Sequence, residues 1–266
     1  MKKVSFRIVK IAAIIYLGIC VALYFFQEHL IFFPDKIAKD YQFEFDQNFE
    51  ELTFKTDDKK LLHGVLFKSD SSKGLVFYLH VNGGSVGSWG EIAKTYTDLN
   101  YDLFVLDYRG YGKSEGSISS EREFHKDVQL VYDQFKLKYH EDHIIIVGYS
   151  IGTGAATKLA SANHPKLLIL QAPYYSLTDL IKHKYPVISG FILRYHFETN
   201  KFLKECKMPV LIFHGNNDKL IYYESSLKLK KLFKENDKLI IINGWGHREM
   251  SDQPEYLMEV RRILGE

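Results

Sequence analysis

The sequence predicts an α/β domain built on a largely parallel sheet. Eight strand-length stretches run through the chain, at 50–56, 61–67, 74–80, 101–107, 143–148, 166–171, 209–214 and 238–243. The last six (LVFYLH, DLFVLDY, HIIIVGY, LLILQA, VLIFHG and KLIIIN) are short continuous apolar runs. Such runs suit strands covered on both faces by helices, which is the situation of a parallel sheet. Helix-period stretches lie between them, so strand and helix alternate.

The chain opens on a basic and then apolar stretch. Residues 11–26 are 16 uncharged, mostly apolar positions, and counting from Val4 gives 23. A bilayer core takes about 20 helical residues. Arg7 and Lys10 can snorkel to the headgroups, and Tyr24, Phe25 and Phe26 suit an aromatic belt. The basic residues come first, so residues 1–26 are expected to be a signal anchor in a single-pass membrane protein. That orientation puts the N-terminus in the cytoplasm and the remainder on the non-cytoplasmic side. A cleaved signal peptide, leaving a secreted or periplasmic protein, would have to cut after the mediocre Cys20-Val21-Ala22 site. A lipoprotein would place the poor residue Ile19 before Cys20, and a buried core helix does not explain the one-sided basic flank. Residues 27–41 are expected to form a juxtamembrane stalk, with Leu30, Ile31, Phe32 and Phe33 in the interface.

From residue 42 to 266 the chain is expected to be one domain, since no Pro/Gly/Ser linker or internal repeat divides it. Phe124, Val128, Val131 and Phe135 recur at helix spacing, as do Tyr256, Val260, Ile263 and Leu264. Residues 174–205 hold seven aromatics (Tyr174, Tyr175, Tyr185, Phe191, Tyr195, Phe197, Phe202). They form either an apolar cap that shapes an acyl pocket or one or two helices packed on the sheet.

Composition excludes several classes. With 46% hydrophobic and 26% charged residues, the 266-residue chain is not a disordered protein. Lys+Arg 35 against Asp+Glu 33 gives +2; four of the bases and no acid lie in the first 26 residues, which leaves 31 bases against 33 acids beyond them. No basic face therefore argues for nucleic acid. Cys20 and Cys206 offer neither metal spacing nor a disulfide framework.

The strongest local signal is Gly148-Tyr149-Ser150-Ile151-Gly152, directly after an apolar run and before Thr153-Gly154-Ala155-Ala156. In a nucleophile elbow the chain turns sharply from strand to helix, and a strained serine projects its hydroxyl above the sheet. Gly148 and Gly152 are needed there because a side chain would meet the neighbouring strand or helix. A serine hydroxyl is a weak nucleophile until a base takes its proton. His247 is the candidate base, in Gly244-Trp245-Gly246-His247 just past the run 239–242. Asp218, after the strand ending in His214-Gly215, is the candidate acid. The order Ser150, Asp218, His247 matches one hydrolase fold and neither the chymotrypsin nor the subtilisin type. Each residue follows a strand, where open parallel sheets place their sites.

With these residues the chain resembles the α/β-hydrolase-fold serine hydrolases over about residues 50–264. It is similar above all to the membrane-anchored α/β-hydrolase-domain proteins and to the monoacylglycerol-lipase and serine-aminopeptidase-like group. The stretch from Asp107 through Arg109 to Gly116 matches the loop after that family's fourth strand. The resemblance implies an α/β-hydrolase fold with an eight-stranded sheet and a short cap. It maps Ser150 as nucleophile, His247 as general base and acid, and Asp218 as its orienter. It implies oxyanion donors at the backbone N–H groups of Ile151 and Asn82. The resembled proteins read His-Gly-Asn where this chain reads His80-Val81-Asn82. A β-branched residue resists the left-handed backbone and close approach that glycine permits. Either the hole survives because only the Asn82 N–H matters, or the chain is a weak catalyst or silent interaction protein.

The expected activity is that of a serine esterase or lipase (EC 3.1), cleaving carboxylic ester, thioester or lipid acyl bonds with no metal or cofactor. An aminopeptidase is the alternative enzyme and would need an acidic group to grip the peptide amine. Oligomeric state is not legible. Asp179 and Asp252 are rival acids that break the expected order. His80, His214 and Arg109 lie near the site, with structural roles open to them. His140-Glu141-Asp142-His143 reads as a solvated turn at the opposite end of its strand, and 228–234 as a solvated basic face. Gly152-Thr153-Gly154 lacks the third glycine of a dinucleotide fingerprint.

Overall fold

Alternation along the apolar runs puts their side chains on both faces of one sheet. In a computed structural model, which describes residues 2–248 and 250–265, the strands are β1 (Phe49–Lys55), β2 (Leu61–Phe67), β3 (Leu75–Leu79) and β4 (Asp102–Asp107), followed by β5 (Ile144–Tyr149), β6 (Leu167–Gln171), β7 (Val210–Gly215) and β8 (Lys238–Ile242). They pair in the order β1-β2-β4-β3-β5-β6-β7-β8, and only β2 runs against the others. Each strand lies within one residue of its expected bounds at either end.

Strands β3 to β7 are buried along their whole length. On β5, Ile144 and Ile146 enter one core while Ile145 and Val147 enter the other. Burying each such side chain stabilises by about 1.5–3 kcal/mol. The main helices are α1 (Lys2–Phe26), α2 (Glu121–Lys136), α3 (Gly152–Ser161), α4 (Leu177–Lys184), α5 (Glu224–Lys230) and α6 (Pro254–Leu264). Ser120 caps α2 by accepting from the Glu123 N–H (3.2 Å), and Phe124, Val128, Val131 and Phe135 form its buried face. On the other face of the sheet α6 buries Tyr256, Val260 and Leu264, with Ile263 half-buried.

Within α1, Phe6–Phe26 is long and apolar enough to cross a membrane by length and composition. The following segment, expected to be a stalk, is anchored to the domain at particular residues, while Leu30 and Phe33 stay exposed. Gln27 and Phe32 are buried, and residues 33–34 pair in parallel with Gly83 and Gly84. The physical reason is that Gln27 and Glu28 find fixed partners rather than water. Gln27 accepts from the Arg194 N–H (2.8 Å), and Glu28 pairs with the Arg194 guanidinium (2.8 Å).

The excursion 174–205 joins β6 to β7 through α4, a turn at 190–192 and a short helix at 199–203. Its aromatics divide. Tyr174, Tyr195 and Phe197 enter the core, whereas Tyr185 and Phe191 face outward. The Tyr16 hydroxyl of α1 donates to the Val187 carbonyl on this excursion (2.8 Å).

Candidate active site

The chain must reverse between β5 and α3 within two residues, and Ser150 takes the strain with φ of +52°. Such a turn is possible only where neighbours lack side chains. A Cβ on Gly152 would lie 2.1 Å from the Leu79 carbonyl oxygen, and one on Gly148 would lie 2.7 Å from that of Gly152. The start of α3 is thereby seated directly against the end of β3.

Ser150, His247 and Asp218 come together although 97 residues separate the first two. Ser150 Oγ lies 2.9 Å from His247 Nε2, and His247 Nδ1 lies 2.6 Å from Asp218 Oδ2. Asp218 can only accept, so Nδ1 carries the proton and Nε2 is left to accept from the serine hydroxyl. The other Asp218 oxygen accepts from the N–H groups of Leu220 (2.8 Å) and Ile221 (2.9 Å). Burial pushes the Asp218 carboxyl up, but His214, His247 and the Ile221 N–H outweigh it and hold the group below the usual carboxylate range.

The loop after β3 lies on the other side of Ser150. The backbone N–H groups of Asn82 and Ile151 have no hydrogen-bond partner among the described residues. His80 Nδ1 donates to the Val81 carbonyl (2.7 Å), which fixes the peptide plane whose opposite side carries the Asn82 N–H. The His80 ring is buried, and burial pushes its pKa down against the opposing pull of Asp107 and of the Val81 and Leu106 backbone. Val81 is not among the residues with positive φ. Its backbone is one any residue adopts, and its side chain packs half-buried against the second core.

A cleft of about 640 Å³ reaches His247 and is lined by Val81, Asn82, Trp89, Tyr149 and Leu220 among others. None of residues 174–205 lines it. The aromatics of that excursion serve packing at Tyr174, Tyr195 and Phe197 rather than the wall of this cleft.

A model of the Hydrolase_4 family, described as serine aminopeptidase, S33, matches residues 70–203. The chain belongs to that family. Like its relatives it has the α/β-hydrolase fold. The uncharacterized protein R595 of Acanthamoeba polyphaga mimivirus is 27% identical over 83% of this chain and 82% of its own. Protein bem46 of Schizosaccharomyces pombe is 32% identical, covering 67% of this chain and 63% of its own. The lysophosphatidylserine lipase ABHD12 of Macaca fascicularis is 29% identical over 73% of this chain, which spans only 56% of that protein. Among solved structures, the Pyrococcus furiosus esterase Pf2001 shares the fold at a TM-score of 0.69 and 19% identity, covering 88% of this chain and 96% of that one. An α/β hydrolase from Vibrio vulnificus does so at 0.65 and 23%, covering 81% and 79%.

Within this Hydrolase_4 chain the rival residues have other partners. Asp179 pairs with Lys228 (2.7 Å) and accepts from the Tyr222 hydroxyl. Arg109 is held by Asp58 (2.7 Å) and by Asp127. Asp252 lines the cleft, while the carboxylate that meets His247 is Asp218. Glu141 accepts from the His164 N–H (3.0 Å), so the turn 141–143 is tied to its neighbour. Three supporting contacts were not foreseen, although Tyr149 was named in the elbow and His214 near the site. His214 Nε2 lies 3.3 Å from Asp218 Oδ2 and is set by Ser226 on its other nitrogen (2.6 Å). The Tyr149 hydroxyl donates to the His247 carbonyl. Ile31 accepts from the Asn82 side chain (2.9 Å). Only His214 carried a signal, as a histidine at a strand end; the other two contacts involve backbone carbonyls, which sequence patterns do not mark.

Proposed function

We propose that the protein is a serine hydrolase that cleaves acyl esters, with lipid acyl esters as its substrate class. The observation that carries this reading is the relay from Ser150 Oγ to His247 Nε2 and from His247 Nδ1 to Asp218, at 2.9 and 2.6 Å. Ser150 Oγ adds to the ester carbonyl carbon while its proton passes to His247 Nε2. That proton then goes to the alcohol oxygen as the C–O bond breaks, leaving an acyl group on Ser150. Water repeats the sequence through His247 and releases the acid. Asp218 holds the imidazole tautomer and stabilises the imidazolium. The free N–H groups of Ile151 and Asn82 are the oxyanion donors, each worth about 3–4 kcal/mol in the transition state.

The lipid preference is supported by the lipase among the relatives and by the apolar helix α1. In this reading α1 is a signal anchor, with residues 42–266 as the catalytic domain on the non-cytoplasmic side. Glu91 and Asp252 on the cleft favour a second reading, an aminopeptidase that grips the substrate ammonium. Steady-state rates of the full-length protein in detergent decide between them. The first reading expects turnover of monoacyl lipids and p-nitrophenyl acyl esters and none of aminoacyl coumarin amides. The reverse pattern overturns it.

A further inference from the structure

Asn82 is gripped by a part of the chain that the fold does not need for its sheet. Its side-chain amide donates to the Ile31 carbonyl (2.9 Å), and its own carbonyl accepts from the Phe33 N–H (2.8 Å). The Tyr111 hydroxyl adds a second donor to that carbonyl (2.7 Å). Further along, the Asp35 N–H donates to Gly84 (3.2 Å), and the Gly112 N–H donates back to Asp35 (2.7 Å). Phe32, between the two gripping residues, is buried in an aromatic cluster. It meets Tyr195 edge-on at 5.5 Å and Phe124 at 5.8 Å.

We propose that residues 31–35 form a strap that positions the Asn82 backbone N–H, making the segment that leaves α1 part of the oxyanion site. This rests on the reading of Ser150, Asp218 and His247 as a triad. The chemistry explains why a strap is needed. An oxyanion donor works by being aimed before the reaction, and a misplacement of about 1 Å costs roughly a hundredfold in rate. The loop 80–84 contains two glycines and lies outside the eight-stranded sheet, so it has no ladder of its own there to aim it. His80 fixes the peptide plane before Asn82, and the strap fixes the one after it. Phe32 keys the strap into the core, so its grip does not depend on exposed contacts. The segment between α1 and the domain thus supports the reaction site from behind Asn82.

The test compares wild type, Asn82→Ala and Phe32→Leu as full-length proteins in the same detergent. Asn82→Ala keeps the backbone N–H and cuts the tie to Ile31; Phe32→Leu loosens the strap from outside the loop. For each, kcat and KM on an acyl ester are measured with the affinity of an alkylboronic acid, whose tetrahedral adduct mimics the oxyanion. The strap predicts that kcat and boronate affinity fall together by about tenfold to a hundredfold for Asn82→Ala, with KM unchanged. Phe32→Leu is expected to follow the same line with a smaller loss, and it carries the test if Asn82→Ala does not fold. Wild-type kcat in a folded Asn82→Ala protein, or a change in KM alone, overturns the strap. Ser150→Ala separates the two levels: if it still turns over ester, the triad reading fails, whereas an inactive Ser150→Ala beside an unimpaired Asn82→Ala sinks only the strap.

Discussion

The hydroxyl of Tyr149 donates to the backbone carbonyl of His247, so the residue before Ser150 holds the loop that carries His247. The two rings lie 5.8 Å apart, tilted by 40°. The elbow and the histidine loop are 98 residues apart in sequence, and this bond ties them together. Tyr149→Phe keeps the ring and removes the bond. It is expected to lower kcat about tenfold at unchanged KM, because the imidazole loses its register with Ser150. Stopped assays at saturating ester check this, and an unchanged kcat would count against the role.

Acid should expose the part played by Asp218. Its carboxyl is held below the usual range in the folded protein, so on acidification the unfolded chain takes up the proton first. Asp218 therefore contributes stability above about pH 4, the ordinary carboxylate value, and loses it as pH falls toward the depressed folded value. The Tm gap between wild type and Asp218→Asn should be widest near neutrality and narrow below about pH 4. A gap that stays constant down to pH 3 would contradict the assigned hydrogen bonds.

Gly152 and Val81 make a contrasting pair. Gly152→Ala forces a methyl to within 2.1 Å of a strand carbonyl that cannot swing away. Overpacking of this kind costs about 1–3 kcal/mol or more, and here it also wedges the two oxyanion arms apart. Urea melts and ester turnover should both decline. Val81→Gly removes a half-buried side chain from a backbone that is not left-handed, so it should cost about 1 kcal/mol and leave kcat within roughly twofold. A large loss of kcat in Val81→Gly would mean that the second oxyanion arm lies elsewhere.

The fold was readable because six of the eight strands are short apolar runs bounded by turns, which leaves little choice of architecture. The convergence of Ser150, Asp218 and His247 was readable because each follows a strand. Two details were not legible, the backbone at Val81 and the contacts of Gln27 and Phe32. Val81 stands where the resembled proteins carry glycine, and the sequence left two outcomes open there; φ at this position is not left-handed, so the backbone needs no glycine. Of residues 30–33, expected at the interface, Leu30 and Phe33 are exposed, whereas Phe32 is claimed by the aromatic core. Hydrophobicity alone does not distinguish a lipid surface from a protein one. The contacts of Tyr149, Ile31 and Phe33 run through backbone groups, which carry no residue-specific signature.

Cys206 offers a check that is independent of catalysis. Burial pushes its thiol up to about 12, leaving almost no thiolate at pH 8. Iodoacetamide at that pH should leave the peptide containing Cys206 unmodified in the folded protein and alkylate it in urea. Rapid modification of the native protein, read by mass spectrometry, would show that the region around α3 opens in solution.

The most direct test of the central claim is covalent labelling of the full-length protein by an alkyl fluorophosphonate, beside Ser150→Ala and His247→Ala. Such a probe reports an activated serine with a usable oxyanion site whatever the natural substrate is. The relay at 2.9 and 2.6 Å predicts rapid modification at Ser150, none in Ser150→Ala, and a rate lower by about a thousandfold or more in His247→Ala. Folded wild-type protein that stays unlabelled, or one labelled equally in all three forms, would contradict it.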